Sequence, residues 1–195
     1  DNLDIELLTT GAHIIVRYHF VASGEELESI TFASGGSMNL AAINAAALNQ
    51  YGDGTDNLIY GSDSQNDILH GLAGNDSLYG RNGNDELIGG TGIDGMFGGG
   101  GADTFTFDAT NESLVAAPDV IGDFSHAEGD TIQLSGIAAF SFLGTGAFTG
   151  GGNEIRYGAD GFGNTLIHVD TNGDTVDDMV IKLVGTITLV AGDFS

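Results

Sequence analysis

An aspartate recurs every nine residues through the middle of the sequence. Asp67, Asp76, Asp85, Asp94 and Asp103 keep this interval, and Asp56 precedes Asp67 by eleven residues. Glycine stands two places before each aspartate, except before Asp67, where the residue is Gln65. An apolar residue stands two places after each aspartate. The apolar residues are Leu58, Leu69, Leu78, Leu87, Met96 and Phe105. A flexible Gly/Asp-rich linker would not keep an apolar residue in phase with every aspartate, so the period predicts a repeated structural unit.

Each unit is expected to form a tight loop followed by a short strand. Glycines at alternate places allow the loop to turn sharply, because glycine reaches φ > 0 at low cost. Side chains of the strand alternate between two faces, so the apolar residue points into a thin core. Two units then make one turn of a parallel β-roll. Aspartates eighteen residues apart stack in adjacent turns: Asp67 with Asp85, Asp76 with Asp94, and Asp85 with Asp103.

Stacked carboxylates repel one another unless a cation lies between them. Calcium suits the pattern, because it accepts about six to eight hard oxygen ligands, backbone carbonyls included, in flexible geometry. Magnesium requires a smaller, stricter octahedron, and zinc prefers nitrogen or sulfur ligands. The sequence therefore predicts several bound calcium ions.

The repeats GLAGNDSLY (71–79), GRNGNDELI (80–88), GGTGIDGMF (89–97) and GGGGADTFT (98–106) resemble those of RTX (repeats-in-toxin) haemolysin-type calcium-binding proteins. The resemblance implies ions between successive turns, held by two aspartates and by loop carbonyls. The expected ligands are Asp56, Asp67, Gly71, Ala73, Gly74, Asp76, Gly80, Asn82, Gly83, Asp85, Gly89, Thr91, Gly92, Asp94, Gly98, Gly100, Gly101 and Asp103. Between Asp56 and Asp67 two extra residues predict a distorted turn with a weaker or absent site.

The predicted fold class is all-β: a parallel β-roll (RTX solenoid) with a strand/helix cap before it and a β-rich cap after it. Residues 1–50 predict strands at 5–8, 13–20 and 29–33 and a helix at 40–48. They resemble the haemolysin-type calcium-binding-related segment and are expected to cap the first turn. The roll is assigned to residues 51–108.

Residues 109–195 predict a C-terminal cap with strands at 118–124, 130–137, 154–157, 165–170, 178–185 and 188–195. ADTFTFD, PDVIGDF and DTIQLSGI resemble the C-terminal cap of serralysin-type secreted proteases. That resemblance implies that the last residues, Gly192 to Ser195, are read by a type I secretion apparatus.

Two further features of the sequence are open to two interpretations each. Asp170, Asn172, Asp174 and Asp178 fall at positions 1, 3, 5 and 9 of an EF-hand-like calcium loop, but an Asx-rich hairpin turn explains them almost as well. Tyr79 and Phe97 are expected on one outer face of the roll, either as a carbohydrate-stacking platform or packed against a flanking segment.

Composition limits the function classes. Four Lys and Arg against 28 acids give a formal net charge of −24, which argues against nucleic acid and anionic membrane surfaces. There is no apolar run long enough for membrane insertion. With no Cys, no H-E-x-x-H and no G-x-S-x-G, the chain is predicted not to be an enzyme. Because it begins at Asp1 without Met, it is expected to be a piece of a larger protein.

The main functional prediction is a monomeric calcium-binding RTX module of an exported bacterial protein. It would fold on extracellular calcium and support type I secretion and folding of the fused catalytic or adhesive domain. The alternative is an adhesin or polysaccharide-binding module of a secreted enzyme, similar to alginate epimerase R-modules.

Overall fold

The computed structural model of the protein describes residues 49–63, 65–137 and 139–195, together with four short strands nearer the N-terminus. The chain divides into two compact units, Asp1–Ile43 and Asn44–Ser195. In the first unit, β1 (Ile5–Glu6) pairs antiparallel with β2 (Ile15–Val16), and β3 (Ser29–Thr31) with β4 (Ser37–Asn39). The helix predicted at 40–48 lies outside the described residues, and the capping role of residues 1–50 stays a prediction.

The repeats form the parallel β-roll that their period predicts. Their strands are β5 (Asn49–Tyr51), β6 (Leu58–Tyr60), β7 (Ile68–Ala73), β8 (Ser77–Asn82), β9 (Glu86–Thr91), β10 (Gly95–Gly100) and β11 (Thr104–Phe107). Alternate strands join two different sheets. Neighbours within a sheet run parallel, with Ile68 opposite Glu86 and Ser77 opposite Gly95. Since these partners are eighteen residues apart, two nine-residue units complete one turn.

The core of the roll is the column of apolar residues that follow the aspartates. Leu69, Leu78, Leu87, Met96 and Phe105 are all 0% exposed. Within the column, Leu87 lies between Leu69 and Phe105 in one sheet, and Leu78 lies opposite Met96 in the other, because the parallel register aligns residues eighteen apart. Burial of these side chains is the main favourable contribution to the fold.

The prediction for the first turn is wrong by one residue. Leu58 is 60% exposed, and Ile59 is the buried residue at 8%. The register explains this, because Ile59, not Leu58, lies opposite Leu78. Asn57 consequently holds the place that Asp56 was expected to hold, and the first step of the repeat is ten residues long.

The C-terminal cap continues both sheets of the roll. Its elements are β12 (Asp119–Ile121), β13 (Thr131–Leu134), β14 (Ser141–Phe142), β15 (Glu154–Ala159), β16 (Thr165–Asp170), β17 (Met179–Leu183) and a 3₁₀ helix (Ala191–Asp193). The first sheet has the order β13-β11-β9-β7-β5 and the second β14-β15-β16-β17-β12-β10-β8-β6. One apolar core therefore extends from Ile59 to Phe194.

The strand predicted at 188–195 is wrong. The Asp193 side chain accepts a hydrogen bond from the Val190 backbone N–H at 2.7 Å, which stabilises a 3₁₀ turn at Ala191–Asp193. Only Phe194 then makes a β-bridge, to Ile132. Among the described residues, no helix has the length and hydropathy needed to cross a membrane.

Replacing Leu87 by alanine tests the core column. The truncation leaves a cavity at a fully buried position and is expected to lower the free energy of unfolding by about 2–5 kcal/mol, measured by denaturant unfolding in calcium-containing buffer. Leu58→Ala is the matched control and is expected to cost about 0.5 kcal/mol or less. A larger loss for Leu58→Ala than for Leu87→Ala would contradict the register of β6.

Candidate metal-binding turns

The repeat aspartates form two rows that follow the two sheets. The five-strand row comprises Asp67, Asp85, Asp103 and Asp130, which precede β7, β9, β11 and β13. The eight-strand row comprises Asp76 and Asp94, which precede β8 and β10, and Asp119, the first residue of β12. All seven side chains are buried. In each row, the Oδ1 atom of every aspartate after the first accepts a hydrogen bond from the backbone N–H of the aspartate before it, at 2.8–3.0 Å. The predicted stacking of aspartates eighteen apart is therefore confirmed.

Sequence reasoning missed the last member of each row. Asp119 accepts from the N–H of Asp94, and Asp130 from the N–H of Asp103. These steps are 25 and 27 residues long instead of eighteen, so a search for the nine-residue period does not find them. The local triplets could have identified both residues. Asp-Val-Ile at 119–121 and Asp-Thr-Ile at 130–132 each have an aspartate followed two places later by an apolar residue, as in the repeats.

The cap also satisfies the backbone groups at the end of the roll. Asp123 accepts from the N–H groups of Gly98 and Gly99, both at 3.0 Å. The buried Ser113 hydroxyl accepts from the N–H of Asp119 at 2.8 Å and donates to the Val180 carbonyl at 2.6 Å. These side chains take the place that a further turn would occupy.

Six of the seven row aspartates keep one carboxylate oxygen without a hydrogen-bond partner among the described residues. The unpaired buried oxygens are Oδ1 of Asp67 and Oδ2 of Asp76, Asp85, Asp94, Asp103 and Asp119. A buried carboxylate oxygen without a donor is costly. Repetition of the same unpaired atom in successive turns shows a common requirement, which a cation shared between the turns would meet.

Burial raises the carboxyl pKa at five of these positions, Asp76, Asp85, Asp94, Asp103 and Asp119. Burial raises the pKa of Asp94 and of Asp103 to about 6, and that of Asp119 to about 8. The backbone N–H that each side chain accepts acts in the opposite direction, and the neighbouring carboxylates raise the pKa further. Without a cation, the folded roll therefore favours protonated carboxyl groups.

Glycines open the space that these carboxylates occupy. Gly71, Gly80, Gly89 and Gly98 each stand five residues before a row aspartate, and a Cβ there would lie 2.2–2.5 Å from its Oδ2 atom. Gly74, Gly83, Gly92 and Gly101 have φ between +121° and +146°. A Cβ at these positions would also meet backbone of the turn before, 1.7 Å from the Gly74 carbonyl oxygen in the case of Gly92.

The remaining loop positions of the predicted set end the strands. Ala73, Asn82, Thr91 and Gly100 are the last residues of β7, β8, β9 and β10. The carbonyls of Thr91 and Gly100 accept from the N–H groups of Gly74 and Gly83, at 3.0 and 2.9 Å. A carbonyl oxygen has a second lone pair that stays available to a metal. The predicted roles of these residues as ligands stay predictions.

The donor set fits a hard cation with many oxygen ligands. No three His, Cys, Asp or Glu side chains of residues 49–63, 65–137 and 139–195 converge on one point, so carboxylates alone do not complete a site. Backbone carbonyls have to supply the other ligands, and calcium accepts such a mixture readily.

The structure does not bring Asp56 into the eight-strand row. Asn57 stands in that place, and its N–H donates to Oδ1 of Asp76 at 2.8 Å. The Oδ1 atom of Asp56 instead accepts from the N–H of Asn75 at 2.7 Å. The loop before Asp67 also differs from the others, because the Ser62 N–H and hydroxyl bind Oδ2 of Asp67 at 2.6 and 2.9 Å. That contact leaves Oδ1 as the unpaired oxygen of Asp67.

The loop from Asp170 to Asp178 is built as an Asx turn. Both oxygens of Asp170 accept backbone N–H groups, from Gly173 at 2.7 Å and Thr175 at 2.8 Å among others. Asp178 accepts from Thr171 and from the Asn172 side chain. Asn172 and Asp174 accept from backbone N–H groups two residues on. None of these four side chains keeps an unpaired buried oxygen like those of the roll, so their hydrogen bonds favour the hairpin-turn interpretation over the EF-hand-like one.

Comparisons with known proteins agree with this geometry. The family described as "Peptidase M10 serralysin C terminal" matches residues 10–195. The solution structure of the AlgE6R3 subunit of the Azotobacter vinelandii mannuronan C5-epimerase is 29% identical, with a TM-score of 0.56, over 74% of this chain and 80% of that one. The solution structure of the AlgE6R2 subunit of the same enzyme is 24% identical, with a TM-score of 0.57, over 77% of this chain and 93% of that one. At this identity the likeness shows a common fold only. No curated protein matches the chain.

Replacing Gly89 by alanine tests the space around one unpaired oxygen. The new Cβ would lie 2.5 Å from Oδ2 of Asp94, so the carboxylate has to move away from its place. We expect calcium affinity, measured by titration calorimetry, to fall by about tenfold, the equivalent of ~1.4 kcal/mol. Gly54→Ala is the control, because a Cβ there meets nothing within 4 Å. Equal affinity of both variants would show that Asp94 does not contribute a ligand.

The raised pKa values predict that low pH stabilises the calcium-free fold. A raised carboxyl pKa stabilises the calcium-free fold fully below the unfolded value of about 3.9. That stabilisation is lost as the pH rises through about 6 for Asp94 and Asp103 and through about 8 for Asp119. Far-UV circular dichroism of the calcium-free chain should therefore show more β-structure at about pH 5 than at about pH 7. In Asp119→Asn, where this side chain is neutral at every pH, the difference should be smaller, and equal β-structure of the unaltered chain at both pH values would contradict the prediction.

Proposed function

The chain belongs to the family of the peptidase M10 serralysin C-terminal domain, and we propose that it is a calcium-binding RTX module that folds when calcium binds and supports the export of a larger protein. The observation that carries the proposal is the row of buried, unpaired aspartate oxygens in successive turns. Calcium would supply the positive charge and the coordination that these oxygens lack.

Coupling between calcium and folding follows from where the carboxylates lie. The formal net charge of −24 opposes compaction of the calcium-free chain. The row aspartates sit between strands of the core, at 1–2% exposure for Asp67, Asp76, Asp85, Asp94 and Asp103, so the roll cannot form without burying them. Since the site does not exist in the unfolded chain, the free energy of calcium binding becomes free energy of folding.

This coupling suits a protein that crosses an envelope unfolded. At low intracellular calcium the acidic chain would stay extended and compatible with a type I secretion apparatus. Outside the bacterial cell, calcium near the affinity range of extracellular modules, about 10⁻⁴–10⁻³ M, would fold it. Asp193 and Phe194 are 2% and 6% exposed in the fold, so an apparatus that reads these residues has to do so before folding.

The proposed partners are that apparatus and a fused catalytic or adhesive domain. The module itself would be a non-catalytic monomer, and it would be extracellular in its folded form. Its strands provide a rigid end for the larger chain, because the cap and the roll share one apolar core.

A second candidate function rests on an aromatic stack on the outer face of the eight-stranded sheet. Tyr60, Tyr79 and Phe97 stack at ring-centroid distances of 5.0 and 4.8 Å, which confirms the common face predicted for Tyr79 and Phe97. Arg81 lies 5.1 Å over the Tyr60 ring and forms an ion pair with Asp63. Such a face could bind a polysaccharide, but Arg81, the cation beside the stack, is already paired with an acid. The calcium-folding function is therefore preferred.

Calcium titration of the chain, followed by far-UV circular dichroism, tests the proposal. We expect a transition from coil to β-structure with calcium and none at equal concentrations of magnesium, because magnesium dehydrates reluctantly and requires strict octahedral geometry. A chain that is already β-structured in chelator would contradict calcium-dependent folding, and the binding-module alternative would then be preferred.

Two variants locate the response within the chain. Asp85→Asn removes a buried charge from the five-strand row and should shift the calcium midpoint to about tenfold higher concentration. Asp174→Asn keeps the side-chain oxygen that binds the Val176 N–H and should leave the midpoint unchanged. A shift with Asp174→Asn alone would place the ion in the EF-hand-like loop instead of the roll.

A further inference from the structure

A second ladder of side-chain hydrogen bonds runs beside the aspartate rows. It is formed by the residue that immediately precedes the aspartate in each turn. Asn66 Oδ1 accepts from the N–H of Asn84 at 2.9 Å, and Asn84 Oδ1 from the N–H of Ala102 at 3.0 Å. On the other side of the roll, Asn75 Oδ1 accepts from the N–H of Ile93 at 2.9 Å. Asp56 begins that side by accepting from Asn75.

The two ladders have opposite directions. In the aspartate rows, a backbone N–H donates to the side chain of the following turn, as Asp67 does to Asp85. In the second ladder, the N–H of the following turn donates back, as Asn84 does to Asn66. Successive loops of the regular repeats, up to Asp94 and Asp103, are therefore joined by two reciprocal hydrogen bonds, one in each direction.

We propose that Asn66, Asn75 and Asn84 are positioning residues that fix the spacing of successive calcium loops. Rotation or sliding of one loop against the next would lengthen one of the two reciprocal bonds. The asparagines thus hold the unpaired oxygens of successive row aspartates at a constant separation without being ligands themselves. This inference rests on the proposed calcium function.

The residue type agrees with this role. The position requires a side-chain acceptor, which alanine and glycine lack. Aspartate occurs there at Asp56, in the first turn, where it accepts from the N–H of Asn75 at 2.7 Å in the same way as the asparagines do.

The ladder ends where the regular turns end. Ile93 and Ala102 precede Asp94 and Asp103 and have no side-chain acceptor. On the eight-strand side, the residue before the next row aspartate is Pro118, the single proline of the chain. Proline has no N–H to donate, so neither half of the second ladder can form there. Asparagine at this position therefore marks a loop that another regular turn follows.

Residue-resolved calcium titration by ¹H–¹⁵N NMR tests the inference. In Asn84→Ala, the amides of Asp85 and Asp103 should respond at about three- to tenfold higher calcium. Those of Asp76 and Asp94 should shift with them, because both rows lie in the same turns and fold together. Asn75→Ala should raise the calcium midpoint by a similar factor. Asn84→Asp restores the acceptor and should regain most of the affinity.

Amide hydrogen exchange at saturating calcium provides a second measurement. Exchange at Ala102 should accelerate by about tenfold in Asn84→Ala, as expected for a lost hydrogen bond, with no change at Ile93. Asn111→Ala is the matched control, because Asn111 is exposed and outside both ladders.

Three outcomes overturn the inference. Unchanged calcium response and exchange in Asn84→Ala would show that the ladder has no positioning role. Equal acceleration of exchange at Ala102 and Ile93 in Asn84→Ala would show a general contribution to stability instead. A wild-type chain without any calcium response would overturn the proposed function together with this inference, whereas a normal wild-type response with unaffected variants overturns the inference alone.

Discussion

The half-paired aspartate carboxylate is the interaction on which the rest of this structure depends. One oxygen accepts a hydrogen bond from a backbone N–H of the preceding turn, as Asp94 does from Asp76 at 2.8 Å. This bond sets the register of the roll. The other oxygen is buried without a donor. The first bond contributes on the order of 1 kcal/mol to the fold, while an unpaired buried charge costs more. A fold of this kind is consequently favourable only when protons or a cation neutralise its carboxylates.

The glycine content is a consequence of the same carboxylates. Gly80 and Gly98 do not need an unusual φ; they are glycine because a Cβ would occupy the place of an aspartate oxygen, 2.4 and 2.2 Å away. Gly83 and Gly101, in contrast, adopt positive φ angles of +145° and +133°, which favour glycine. Leu72 and Arg81 adopt φ of +80° and +77° without being glycine, which is a strained conformation. Space for the site, not flexibility, therefore explains most of the glycines in the repeats.

The sequence predicts the roll well wherever its period is unbroken. A nine-residue interval fixes the two sheets, the buried column from Leu69 to Phe105 and the stacking of aspartates, because a parallel register has only one way to superimpose identical loops. Where the interval changes, the phase is lost. Asp56 and Asn57 both stand near the expected place, and only the pairing of Ile59 with Leu78 decides between them.

Long-range contacts account for the other differences. Asp119 and Asp130 follow loops of irregular length, so their place in the rows depends on how those loops fold back. The two-residue strand β14 and the 3₁₀ turn at Ala191–Asp193 likewise depend on contacts with distant residues. Short elements of this kind carry too little periodicity to be recognised from sequence.

The positions of Asp119 and Asp130 also define what a complete roll is. The last two loops of the repeats end at Asp94 and Asp103, and the acceptors for their N–H groups come from the cap. Asp119 in turn is held by Ser113, whose hydroxyl donates to β17. A chain cut after the last repeat would leave both N–H groups without these acceptors and would remove the carboxylate with the most strongly raised pKa, about 8. The repeats and the cap are therefore one folding unit in terms of carboxylate pairing, although only the repeats show a period in the sequence.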